Sequence, residues 1–111
     1  MKFDWCKEFN GAVTVCDKIG TILYMNEKAI LTFTDPGDES PIDHNLFDCH
    51  PEPAKVILME LMNKQKSNCY TIEKKGKKKL IYQSPWYENG EYKGFVEISL
   101  EIPFDLPHKI R

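Results

Sequence analysis

No run of apolar residues here is long enough to span a bilayer, and Met1 leads into Lys2, Phe3, Asp4, Trp5 and Cys6 without the apolar stretch of a secretory signal. No membrane contact and a cytoplasmic location are therefore expected. Charge of one sign is also lacking: 15 Lys and Arg oppose 17 Asp and Glu, for a formal charge of -2. Such a chain exerts no long-range pull on nucleic acid or anionic lipid, so neither is expected as a partner. Cys6, Cys16, Cys49 and Cys69 show no CxxC spacing, which favours reduced thiols over disulfides. A Cys16, Cys49, Cys69 metal site would need three separate elements to converge. Nucleophile elbow, phosphate-cradling glycine loop, internal repeat, low-complexity segment and heptad pattern are all missing. At 111 residues the chain supports one small domain around one core.

Within that frame the segment from Phe47 to Leu61 is the most informative. It reads Phe-Asp-Cys-His-Pro-Glu-Pro, followed by Ala54, Ile57, Leu58 and Leu61 at helical spacing, with Val56, Met59 and Met62 widening the stripe. Such a stripe is expected to be buried. Pro51 and Pro53 suit a first helical turn, Glu52 complements the positive end of the helix, and Lys64 and Lys66 complement the other end.

Ahead of this helix, Ala12 to Cys16 and Thr21 to Met25 are β-prone runs joined by Asp17-Lys-Ile-Gly20, which has turn chemistry. They predict an antiparallel hairpin. Asn26 is placed to cap a short helix over Glu27 to Phe33, and Thr34 to Pro41 is a polar loop rich in helix breakers. Ile42 to Phe47 holds a further turn. After the helix come three strands, Asn68 to Lys74, Lys79 to Tyr87 and Lys93 to Ile102, forming a meander that Pro103 ends. This order predicts an α+β fold: a five-stranded antiparallel sheet with helices packed on one face.

The chain resembles a PAS domain. The resemblance rests on Asp17-x-x-Gly20 followed by a strand and Asn26, on the three closing strands, and on Cys49-His50-Pro51 at a helix start. Glu88-Asn-Gly-Glu-Tyr-x-Gly94 running into Val96-Glu-Ile adds to it, and together these are similar to a bacterial PAS subgroup with a Cys-His-Pro helix start. The likeness covers residues 9–102, leaving 1–8 as an N-terminal segment suited to dimerisation and 103–111 as a tail. It implies a sensory or interaction module that holds flavin, haem, a small organic acid or nothing between sheet and helices. It further implies a homodimer and an unidentified signalling protein as partners. No kinase, cyclase or DNA-binding segment accompanies the module, so signalling by contact is expected. No Asn-Cys-Arg-Phe-Leu-Gln motif is present, so flavin photochemistry through a cysteinyl adduct is not expected.

His50 is the first candidate cofactor residue, since imidazole is the commonest iron ligand and some haem-binding PAS domains ligate iron from this helix. The competing reading makes it a first-turn residue hydrogen-bonded locally. Cys49 beside it is either a thiolate ligand or a small buried hydrophobe. Tyr24, Met25, Phe33, Phe47, Met59, Met62, Tyr70, Tyr82, Trp86 and Phe95 are pocket or core candidates. Phe47 and Met59 serve as apolar walls, and Tyr82, Gln83 and Ser84 as polar groups that orient a ligand. Strand alternation separates Tyr82 and Ser84 from Gln83 without saying which face is inward.

Two further clusters need weighing. The run Glu73-Lys-Lys-Gly-Lys-Lys-Lys79 suits either a phosphate or acidic contact or a solvated turn. Asp43, His44, Asp48, Cys49 and His50 are acid, base and nucleophile types close in sequence, but closeness in sequence does not make a catalytic site, and no enzyme activity is expected. Two functions remain open. One is a sensor that binds a small molecule, haem among the candidates; the other is a ligand-free dimerisation or scaffold domain with a filled core.

Overall fold

The computed structural model describes residues 3–49, apart from the Cys49 side chain, and 52–111. The first hairpin joins β1 (Ala12–Asp17) to β2 (Ile22–Met25). Its turn is held by the Asp17 carboxylate, which accepts from the backbone N–H of Ile19 at 3.0 Å and of Thr21 at 2.9 Å. Gly20 closes the turn at φ 91°, where a Cβ would lie 2.8 Å from the Phe47 ring.

Asn26 caps α1 (Glu27–Phe33), its side-chain oxygen accepting from the N–H of Ala29 at 2.9 Å. The chain then returns along β2. Asp43 N–H donates to the Ile22 carbonyl at 2.8 Å, Ile22 N–H to that of His44 at 2.9 Å, and Leu46 N–H to that of Gly20 at 2.6 Å. The segment expected to be a simple turn thus covers the exposed edge of β2, where unpaired backbone groups would otherwise face solvent.

A 3-10 turn over Leu46–Cys49 precedes α2 (Ala54–Lys64). The regular helix begins after Pro53, which lacks an N–H and disfavours helical geometry in the residue before it. Burial is narrower than the sequence stripe predicts. Leu58 and Met62 are buried and Leu61 half-buried, whereas Val56, Ile57 and Met59 are about half exposed. The reason is that α2 meets the sheet along one edge and overhangs a groove with the other. Gln65, in left-handed geometry, ends the helix, with Lys66 N–H donating to the Leu61 carbonyl at 3.0 Å.

The last three strands are β3 (Asn68–Lys74), β4 (Lys77–Glu88) and β5 (Glu91–Ile102). Two-residue loops, Lys75-Gly76 and Asn89-Gly90, connect them, each with positive φ at both positions, as tight hairpins require. All pairings are antiparallel and the sheet order is β2-β1-β5-β4-β3, so the last strand in sequence lies at the centre.

Register assigns the faces. Thr14, Cys16, Tyr70, Ile81, Gln83, Phe95 and Glu97 face the helices, and the core gathers around Cys16, Phe95, Leu58, Met62, Leu46, Ile22, Met25 and Ala29. Val15, Val96, Ile98, Leu100, Leu80, Tyr82, Ser84 and Trp86 lie on the opposite face, where the Phe9 ring rests over Gly11 beside Leu100. At Gly94, φ is 151° and a Cβ would strike the Cys16 carbonyl. Across that gap the Trp86 indole N–H donates to the same carbonyl at 3.0 Å.

Candidate functional site

One rung of the sheet is polar on its helix-facing side. Thr14 on β1 is directly opposite Glu97 on β5, Glu97 opposite Gln83 on β4, and Gln83 opposite Asn68 on β3. The side chains are linked in sequence: Asn68 Nδ2 donates to Gln83 Oε1 at 3.2 Å, and Gln83 Nε2 donates to Glu97 Oε1 at 2.9 Å. Both ends of the buried Gln83 amide are thereby satisfied, which burial demands. Glu97 ends the relay as a half-buried carboxylate, and no ion pair to it is formed among the described residues.

Leu46 and Leu58 close over the middle of this rung, leaving a void of about 10 Å³ bounded also by Thr14, Gln83, Phe95 and Glu97. To one side, beneath α1, a chamber of about 220 Å³ is lined by Thr14, Ile22, Met25, Phe33, Pro41, Leu46 and Glu97. On the other, beneath α2, Pro53, Ala54, Ile57, Leu58, Asn68, Tyr70 and Gln83 line one of about 440 Å³. The two chambers make a groove along the inner face, pinched at its centre.

The field of Glu97 reaches both flanks. The Tyr70 phenol is pushed above its ordinary pKa first by burial and then by the Glu97 charge. The Cys16 thiol is pushed up to about 11, chiefly by burial, with the charges of Asp17 and Glu97 adding to a rise that a backbone hydrogen bond at Phe95 opposes. Cys16 is therefore a protonated core residue at neutral pH.

The residues predicted from sequence fall in three places. Tyr82 and Ser84 lie on the outer face, because they alternate with Gln83, whose side chain points into the groove. Phe47 and Met59 come together outside the groove, in an open depression with Lys18, Val56, Met62, Gln65 and Tyr92. The Cys49 side chain and His50 lie outside the described residues. Among the described residues no group of three or more His, Cys, Asp or Glu is arranged to hold a metal. Asp43, His44 and Asp48 are exposed and do not converge on the groove. Sequence reasoning had not singled out Thr14, Asn68 or Glu97; the available signal was a charged residue midway through the apolar run Phe95-Val-Glu-Ile98.

No family model matches the sequence, and no curated protein matches it. In three dimensions the chain is similar to the PAS domain of BvgS from Bordetella pertussis, with a TM-score of 0.67 and 15% identity, over 90% of this chain and 82% of that one. The chain folds as a PAS domain. The PAS domain of the histidine kinase ThkA is similar at a TM-score of 0.65 and 19% identity, over 82% of this chain and 98% of that one. The Aer2 receptor from Vibrio cholerae, described as a dual PAS-heme oxygen sensor, is similar at 0.60 and 19%, over 84% and 95%. The likeness is one of fold, and the polar rung is formed by this chain's own residues.

Proposed function

We propose that this PAS domain is a non-catalytic, cytoplasmic sensory module that binds a small molecule in the inner groove and signals by protein contact, as a homodimer. The observation that carries the reading is the linked Asn68, Gln83 and Glu97 side chains set between two apolar chambers. Apolar walls with a few directed polar groups are how small-molecule sites combine affinity with orientation. An occupant touching both α1 and β5 favours one placement of helix against sheet, and shifts the balance only by its difference in affinity for the two placements. The apolar outer face, with Leu80, Ile98 and Leu100, is where a partner or second copy would feel the shift.

Haem is not part of this proposal. The groove is divided at its centre, and its described lining offers a carboxylate where the propionates would need cations. The contribution of His50 is a separate question, tested by adding haem to the wild type and to His50→Ala and comparing absorbance.

A second reading, a ligand-free dimerisation or scaffold domain, draws support from the closure of Leu46 and Leu58 over the rung. Native mass spectrometry of the protein isolated from its own source separates the two. A bound mass of one small molecule per protomer is expected; a bare polypeptide mass in every charge state would favour the scaffold.

A further inference from the structure

We infer that the chamber beneath α1 takes a small primary ammonium compound with an apolar body; the inference rests on the small-molecule reading above and names its ligand class. A carboxylate has about four lone-pair sites, and Glu97 commits Oε1 to Gln83. Its remaining capacity faces a chamber whose other walls are Ile22, Met25, Phe33, Pro41 and Leu46. Thr14 stands beside it on the neighbouring strand. The residue is 5% exposed, and its hydroxyl adds a polar group to the chamber wall next to the carboxylate. A half-buried carboxylate with no counter-ion among the described residues is a group that apolar surroundings penalise.

An ammonium compensates it: it carries the opposite charge and donates three hydrogen bonds, for which the Glu97 carboxylate and the Thr14 hydroxyl are acceptors in the chamber wall. The Phe33 ring adds a face to which a cation is attracted. An anionic ligand would set like charges together, and a neutral one would leave the carboxylate uncompensated. At about 220 Å³ the chamber falls below the roughly 300–1,000 Å³ of drug-sized sites, so the body is small, of the order of one aromatic ring.

Phenethylamine, 2-phenylethanol and phenylacetate share one apolar body and differ in charge, so NMR titration of the labelled protein with each provides the test. Phenethylamine is expected to bind about tenfold more tightly than either other probe, the size of a charge-assisted hydrogen bond, and to shift the Gln83 side-chain amide and the Thr14 backbone amide. Glu97→Gln, which keeps the shape, should abolish that preference; Thr14→Val should weaken the amine by a few-fold. A dispersed amide spectrum verifies the fold of each variant.

Equal or tighter binding of phenylacetate, or an amine preference that survives Glu97→Gln, overturns the inference, while the small-molecule reading stands on whichever probe binds. No shift with any of the three also overturns it, and a bare mass in the native spectrum then removes the small-molecule reading separately.

Discussion

Asn26 and Val13 are bound to each other twice. The Asn26 backbone N–H donates to the Val13 carbonyl and the Val13 N–H donates to Asn26 Oδ1, both at 3.0 Å. The same amide oxygen caps α1 at Ala29, and Nδ2 donates to the carbonyls of Cys6 at 3.0 Å and Gly11 at 2.8 Å. The residue is 1% exposed, so its side-chain bonds are buried except for the partly buried one to Cys6. Asn26→Ala should lower stability by about 2–4 kcal/mol, since it orphans buried backbone groups on three segments. Asn26→Asp, which keeps the acceptors and loses the donors, should fall between. Urea denaturation of the three proteins checks the order.

Gly94 should tolerate no side chain. Gly94→Ala drives a methyl group into the Cys16 carbonyl and removes the opening through which Trp86 reaches that atom, so a loss of about 3 kcal/mol or more is expected. Trp86→Phe, which removes only the hydrogen bond and some packing, should cost about 1–2 kcal/mol. Thermal unfolding of both variants distinguishes the clash from the lost bond.

Alkaline pH should destabilise the fold through Cys16. Its folded pKa of about 11 lies above its ordinary value of 9.0, so the folded state holds the proton more tightly than the unfolded state. The contribution is complete below pH 9 and disappears as pH rises through about 11, with a magnitude on the order of 2–3 kcal/mol. Cys16→Ala should flatten the fall in urea midpoint between those values. At pH 8 in the native state, a thiol reagent should modify the exposed Cys69 and spare Cys16.

Ile57 overhangs the chamber beneath α2 and is 51% exposed. Ile57→Trp should therefore fill the mouth of that chamber with a change in stability within about 1 kcal/mol. Occupancy of that chamber should fall while the chamber around Glu97 is unaffected. Separate titration shifts at Tyr70 and Thr14 read the two chambers independently.

Lys75 sits at φ 54° in a two-residue hairpin loop, a geometry in which Asn is less strained than Lys. Lys75→Asn should raise stability by about 0.5–1 kcal/mol, measured as a higher urea midpoint at unchanged slope.

The elements were legible where local chemistry alone decides them. Asn26 announced its helix, Asp17 and Gly20 their turn, and β3 has the bounds expected for it. Inner and outer faces were not legible, because β4 carries apolar residues on both: Leu80 and Tyr82 outward, Ile81 inward beside Gln83. The polar rung was hidden for a more specific reason. Counting outward from the Lys75-Gly76 loop does pair Asn68 with Gln83, but the same count from Asn89-Gly90 would pair Gln83 with Val96. The irregularity between Trp86 and Tyr87 moves the register by one residue and sets Glu97 there instead. Nothing in the local sequence announces that shift. The overhang of α2 was equally hidden, since a helical stripe reports which residues are apolar and not how far the helix stands from the sheet.

The carbonyls of residues 6 and 7 are fastened to the first turn of α1, Cys6 through the Asn26 side chain and Lys7 through the Glu27 N–H at 3.1 Å. The polypeptide leading into the sheet is thus latched to the same short helix whose far end, at Phe33, walls the chamber around Glu97. A twist applied to that leading strap would reach the roof of the chamber through α1 as well as β1 through Val13, and an occupant prising the roof upward would tug on the strap in return.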